Sequence, residues 1–192
     1  MNIQGKLAQY ISFLLEYNKK INLVSRQITD EGLEQLLVET EFLNGFISED
    51  IRTIVDAGSG NGLLGIPVAL FNENLEVVLV EPKKKKSIFL QEAVEHLQLE
   101  NCSVHNMSIE EYLKLNMGKK KRGVIARGFP NLAVFCRYIQ KRMIREAVLI
   151  TSDMKIKKNM IELESVGKKT YNVPLRENLK ILKMEKAARD KQ

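Results

Sequence analysis

Two short apolar runs constrain this chain more than any other feature. Ile51–Ala57 (IRTIVDA) ends in an acid and a cluster of glycines, and Leu75–Val80 (LEVVLV) closes on Glu81-Pro82. Both are rich in Val and Ile and too short for a helix, the pattern of strands buried on both faces of a parallel sheet. The stretch between them, Gly62 to Phe71, has room for a helix. The alternation then continues. Lys84–Leu97 carries Ile88, Phe89, Ala93 and Leu97 at helical spacing, and Cys102–His105, Val124–Arg127 and Ala147–Thr151 read as further strands. Ile109–Leu115 and Leu132–Met143 are the helices between those strands. Lys169–Val173 and Leu179–Met184 leave little room for a connection, so they are expected to pair antiparallel. Strands and helices in this order predict βαβ units with right-handed crossovers, hence a doubly wound α/β fold with a mostly parallel, seven-stranded sheet.

Ahead of the first strand the period is helical. Residues 6–24 place Tyr10, Phe13, Leu14, Tyr17 and Ile21 on one face, and Asp30–Ile47 does the same with Leu33, Leu36, Leu37, Leu43 and Phe46. Thr29 or Asp30 is the expected N-cap of the second helix. The chain thus divides into a helical N-terminal cap, residues 1–50, and a sheet domain, residues 51–192. At 192 residues it is long enough to fold on a hydrophobic core without disulfide or metal. Only Cys102 and Cys136 are present, apart from each other, and there are 2 His, so a structural zinc site lacks ligands and a reduced, cytoplasmic protein is expected. No basic-then-apolar leader opens the sequence, and the longest apolar run, Ile66 to Phe71, is far short of the roughly 20 residues that span a bilayer.

The charge is unevenly spread. Residues 1–50 hold 4 basic and 8 acidic side chains, residues 51–117 hold 6 and 9, and residues 118–192 hold 20 and 7. A last segment at +13 in a chain of net +6 points to a polyanionic partner on the C-terminal part of the fold.

The chemistry concentrates at Val55-Asp56-Ala57-Gly58-Ser59-Gly60-Asn61-Gly62-Leu63-Leu64-Gly65. Glycines here permit a tight strand-to-helix turn and close approach of a ligand to the backbone, and the helix beyond offers unpaired N–H groups. Glu81, at the end of the next strand, overlooks the same crevice, where a carboxylate takes both hydroxyls of a ribose. Together these features specify a nucleoside-containing cofactor. Gly60 to Gly65 satisfies G-x-G-x-x-G, which leaves a nicotinamide dinucleotide open. Three features favour S-adenosylmethionine: Asp56 before the first glycine, placed to hold the methionine end; the longer turn Gly58-x-Gly60-x-Gly62; and the helical cap in front.

Beyond this loop the chain resembles the GidB/RsmG family, from about Tyr10 to Met184. Tyr17-Asn-Lys-Lys-Ile-Asn-Leu23 is similar to the family's Trp-Asn-Lys-x-x-Asn-Leu segment, and Gly65-Ile-Pro67 is a tripeptide typical of it. Glu81, Lys85 and Phe89-Leu90 follow in family order, and Ala126-Arg127 matches a Ser-Arg pair after the fourth strand. The resemblance implies a class I methyltransferase-like sheet and transfer of a methyl group from S-adenosylmethionine to guanine N7 in small-subunit (16S) ribosomal RNA. It implies that Asp56, Gly58, Ser59, Gly60, Gly62 and Glu81 hold the methionine and ribose, that Ser108, Ile109 and Glu110 cover the adenine, and that Arg127 stands at the pocket mouth as a cofactor-binding and catalytic residue. No metal is implied. The implied partner is small-subunit ribosomal RNA or the 30S subunit, met through the basic C-terminal face by a monomeric, cytoplasmic protein with no membrane contact.

The chain also departs from the family. Leu36 stands where His is usual and Glu39 where Asp is, Leu63-Leu64 lacks a Pro, Ser108 replaces an arginine, and Ser152-Asp153 replaces Lys-Gly. Lost basic groups near the RNA leave a second reading open, a relative that binds RNA or ribosomes without methyl transfer.

Overall fold

In the computed structural model, residues 2–116, 121–174 and 176–187 are described. The chain runs α1 (Ile3–Asn18), α2 (Asp30–Asn44), β1 (Thr53–Ala57), α3 (Gly65–Phe71), β2 (Glu76–Val80), α4 (Lys84–His96) and β3 (Cys102–His105). It continues through α5 (Ile109–Leu115), β4 (Arg122–Arg127), α6 (Ala133–Gln140), β5 (Glu146–Ser152), α7 (Asp153–Lys158), α8 (Met160–Leu163), β6 (Gly167–Val173) and β7 (Arg176–Glu185). The strands form one sheet in the order β3-β2-β1-β4-β5-β7-β6, parallel from β3 to β5 and antiparallel at β7 and β6. Seven strands and the antiparallel final pair match the expectation from sequence.

The order reverses direction at β1. Chain progression runs outward through β2 and β3, then returns to place β4 on the other side of β1. Right-handed crossovers therefore put α3 and α4 on one face and α5 and α6 on the other. Side-chain alternation follows: Ile54, Ile125 and Val148 join the core under α3 and α4, and Val55, Val124 and Ala147 join the core under α5 and α6. Every residue of β1 is buried, which is why its sequence reads as a continuous apolar run. The N-terminal helices lie over the first face, where Tyr10, Leu14, Leu33 and Leu43 share a core with Ile54 and Phe89.

Several helix ends differ from expectation. The first helix stops at Asn18 and does not reach residue 24. The Asn18 side-chain oxygen accepts from the N–H groups of Leu23 (2.8 Å) and Val24 (3.0 Å), folding the chain back and taking Ile21 out of the helix. The second helix ends at Asn44 and not Ile47, and Thr29, not Asp30, caps it by accepting from Gly32 N–H. The helix expected from Gly62 begins at Gly65, because Gly62 still lies in the turn at φ 78. The sequence reading also missed α7 and α8. Ser152 caps α7, and only Ile156 and Leu163 are buried in the pair, too few apolar anchors to show a period.

Candidate functional site

The direction change between β1 and β4 opens a crevice at the carboxyl ends of the strands, the place where open α/β sheets bind ligands. The glycine loop leaves β1 into it. Gly58, Gly60 and Gly62 all have left-handed φ angles of 72, 60 and 78, a region that costs other residues about 1–2 kcal/mol. The loop is tied down at both ends. Gly58 N–H and Ser59 N–H donate to the Val80 carbonyl at 2.9 and 3.1 Å, and the Ser59 hydroxyl donates to the Asp56 carbonyl. Asn61 is held from the cap: Tyr10 Oη donates to its carbonyl, and its own side-chain N–H donates to the Leu23 carbonyl. The turn after Asn18 is thus part of the site's support.

The faces of the loop differ in what they meet. A Cβ on Gly62 would fall within 3.0 Å of Ile66, Leu90 and Tyr10, so that residue faces packed protein. A Cβ on Gly58 would meet nothing within 4 Å, so its exposed backbone faces open crevice. Gly65, on the first turn of α3, has no such space: a Cβ would lie 2.2 Å from Leu79 Cδ2. Its role is to let helix and strand approach.

Glu81 stands opposite, 4% exposed. One carboxylate oxygen accepts from Gly60 N–H and the other from Lys83 N–H, both at 2.8 Å. Each oxygen retains a second acceptor direction, and Asn106 steadies the turn by donating to the Glu81 and Pro82 carbonyls. A fixed carboxylate beside an open, glycine-lined backbone fits a ribose with two vicinal hydroxyls. Asp56, 2% exposed, lies beneath the loop and accepts from Gly65 N–H at 3.1 Å. Burial pushes its carboxyl up to about 7, with the Glu81 charge adding to the rise and the Ser59 and Gly65 donors opposing it.

The other expected residues are placed around the same edge. Ser108 caps α5 in a reciprocal box with Glu111, which holds that carboxylate below its ordinary range. Ile109 is buried in the second core, and Glu110 faces the Tyr138 hydroxyl. Arg127, at the end of β4, is partly exposed and ion-paired with Glu39, which is fully buried on α2. Arg176, at the start of β7, donates to the same carboxylate at 2.8 Å. Glu39 thereby ties the cap to two strands, a role sequence reasoning missed, since residues 39 and 176 carry no mutual signal. The departures find local partners too: Ser152 caps α7, Asp153 pairs with Lys180 at 3.7 Å, and Lys155 Nζ donates to the Gly128 and Phe129 carbonyls. Among the described residues, no group of three or more His, Cys, Asp or Glu is arranged to hold a metal ion.

Comparison with known proteins gives the chain's relatives. A family model described as rRNA small subunit methyltransferase G (GidB) matches residues 3–189. Proteins named ribosomal RNA small subunit methyltransferase G are similar to the chain in several bacteria. The one from Nitrosomonas eutropha is 34% identical over 136 residues, covering 71% of this chain and 61% of that protein. The one from Brachyspira hyodysenteriae is 28% identical over 177 residues, covering 91% and 84%. The chain thus spans less than two thirds of the Nitrosomonas relative's length. Among solved structures, an O-methyltransferase from Bacillus cereus in complex with SAH superposes with a TM-score of 0.59 at 13% identity, covering 93% of this chain and 91% of that one. An rRNA methylase from Streptococcus thermophilus gives 0.56 at 14% identity, covering 85% and 100%. These likenesses establish the fold.

Proposed function

Because the chain belongs to the GidB family of ribosomal RNA small subunit methyltransferases, we propose that it transfers a methyl group from S-adenosylmethionine to guanine N7 in 16S ribosomal RNA. The observation that carries this reading is the Glu81 carboxylate bonded to Gly60 N–H beside the open backbone of Gly58, at the point where the strand order reverses. Gly58, Ser59 and Gly60 hold the methionine and ribose side, Gly62 forming the turn that presents them, with Glu81 on the ribose hydroxyls and Asp56 supporting the loop from below. Ser108, Ile109 and Glu110, at the start of α5, border the adenine. When bound, the cofactor supplies a methyl group on a positively charged sulfur.

Guanine N7 has a free lone pair and no proton, so the protein needs no general base. Its work is to align the base with the cofactor, a proximity effect worth up to about 7–11 kcal/mol. Arg127, fixed by Glu39, keeps donors free for the target base or a phosphate. The asparagine, serine and glycine chemistry of the loop holds atoms in place and moves no proton. The protein acts in this reading as a cytoplasmic monomer on small-subunit RNA or the 30S subunit, through its basic C-terminal third. No described helix is long and apolar enough to cross a membrane.

The test is methyl incorporation from labelled S-adenosylmethionine into unmodified small subunits, located by chemical cleavage at 7-methylguanine. Glu81→Ala should weaken binding of S-adenosylhomocysteine by about 10- to 100-fold, the loss of a charged hydrogen-bond pair. Binding of NADH in preference to S-adenosylhomocysteine, or RNA binding with no incorporation, would overturn the reading.

A further inference from the structure

The positive charge is not confined to the crevice. At the carboxyl edge of the parallel strands Lys83, Lys84, Lys85 and Lys86 open α4 beside the glycine loop, and other cations have partners: Arg127 and Arg176 share Glu39, Lys180 faces Asp153, and Lys155 is bonded to two carbonyls. The opposite edge gathers a second set of cations. A cleft of about 610 Å³ opens between the starts of β4 and β5 and the end of β7, lined by Lys121, Arg122, Arg142, Arg145, Glu185 and Lys186, with Ile139, Met143 and Ile144 as its apolar side. Arg145 is paired with Asp50, and Arg122 has Glu76 nearby. Lys121, Arg142 and Lys186 form no ion pair among the described residues.

Two further observations mark this cleft. Lys121 and Arg142 both occupy left-handed backbone, at φ 65 and 56, where glycine is the unstrained choice. Arg142 sits just beyond α6, its N–H bonded to the Ile139 carbonyl, the position where helices commonly end in glycine. Arg122 is 1% exposed; its Nη2 donates to the Asn116 carbonyl, and its Nε has no hydrogen-bond partner among the described residues. A second basic cleft, holding Lys168, Lys169 and Lys183, shares Glu185 and Lys186 with the first.

Resting on the ribosomal RNA reading, we infer that this amino edge is a phosphate-binding surface that grips the RNA backbone away from the reacting base. The length of β4, Arg122 to Arg127, separates the two edges by about 17 Å at roughly 3.3 Å per residue. RNA touching both spans that distance, whereas a strand of about three nucleotides around the target guanine, roughly 10 Å long at about 3.4 Å each, reaches the crevice alone. The surface thus sets affinity, while the crevice sets chemistry.

The test uses the full-length protein with Lys121→Gly, Arg142→Gly and Lys186→Ala combined. Glycine accepts the left-handed angles, so folding is retained, as unchanged S-adenosylhomocysteine binding will show. Removing three phosphate contacts should lower the salt slope of log K for unmodified 16S RNA by about 2–3. KM for the RNA should rise at least tenfold at 0.15 M salt with kcat changed less than twofold, and a short oligonucleotide should bind wild type and variant alike. An unchanged slope and KM in a variant that binds S-adenosylhomocysteine normally would overturn the inference and leave the methyltransferase reading intact. A wild type that neither binds nor methylates the RNA would overturn both.

Discussion

Asp56→Asn separates the support of the glycine loop from its charge. Asp56 is 2% exposed and bonded to Gly65 N–H, and burial lifts its carboxyl from an ordinary 3.8 to about 7. An acid whose value is raised on folding holds its proton more tightly in the folded chain than in the unfolded one. Its contribution to stability is therefore complete below the unfolded value and is lost as pH rises through the folded one. Integrating between pH 5 and pH 8 makes this group alone favour the lower pH by about 2–3 kcal/mol. Asparagine keeps an oxygen for Gly65 N–H, occupies the same space and has no proton to lose. Urea unfolding of both proteins at pH 5 and pH 8 isolates the effect, because other titrating groups cancel in the difference of differences. Wild type should lose about 2–3 kcal/mol more than the variant between the two pH values, equivalent to roughly 4–12 °C in Tm for a chain of this size. Equal pH dependence in both proteins would refute the assignment of Asp56 as a buried, proton-holding acid.

Two other substitutions probe how the site is assembled. Gly65→Ala places a Cβ 2.2 Å from Leu79 Cδ2 and 2.8 Å from Asp56 Oδ2, and overpacking of this kind costs about 1–3 kcal/mol; thermal unfolding with no drop in Tm would show that α3 yields freely. Glu39→Ala leaves Arg127 and Arg176 without their shared carboxylate. Both arginines are partly exposed and can turn to water, so the loss should be about 1–3 kcal/mol, recovered in part by Glu39→Gln, and equal stability of all three proteins in denaturant would contradict a structural role for the pairing.

The strands were legible because burial on both faces leaves no place for polar residues. Ile51–Ala57 and Leu75–Val80 announce themselves as continuous runs, and the structure trims each by one or two residues, to Thr53–Ala57 and Glu76–Val80. Helix ends were less legible, since they depend on single hydrogen bonds. Asn18 closes α1 by turning its amide to Leu23 and Val24, and a periodic pattern that includes Ile21 gives no hint of it. The stretch 153–163 was silent for another reason: Met154 and Ile161 are 78% and 83% exposed, so its apolar residues do not define one buried stripe.

The glycine loop and Glu81 are local features, and the amino-acid sequence by itself determined them: glycine spacing decides which backbone angles are open, and an acid at a strand end decides what the neighbouring crevice attracts. Glu39 meeting Arg127 and Arg176, Tyr10 reaching Asn61, and unpaired cations collecting at the edge away from the loop were decided only by the tertiary structure. Residues 39 and 176 meet because α2 lies over the first face of the sheet while β7 inserts beside β5, a consequence of strand order. Pairing between such distant positions is fixed by which faces are buried together, and one-dimensional periodicity carries no record of that.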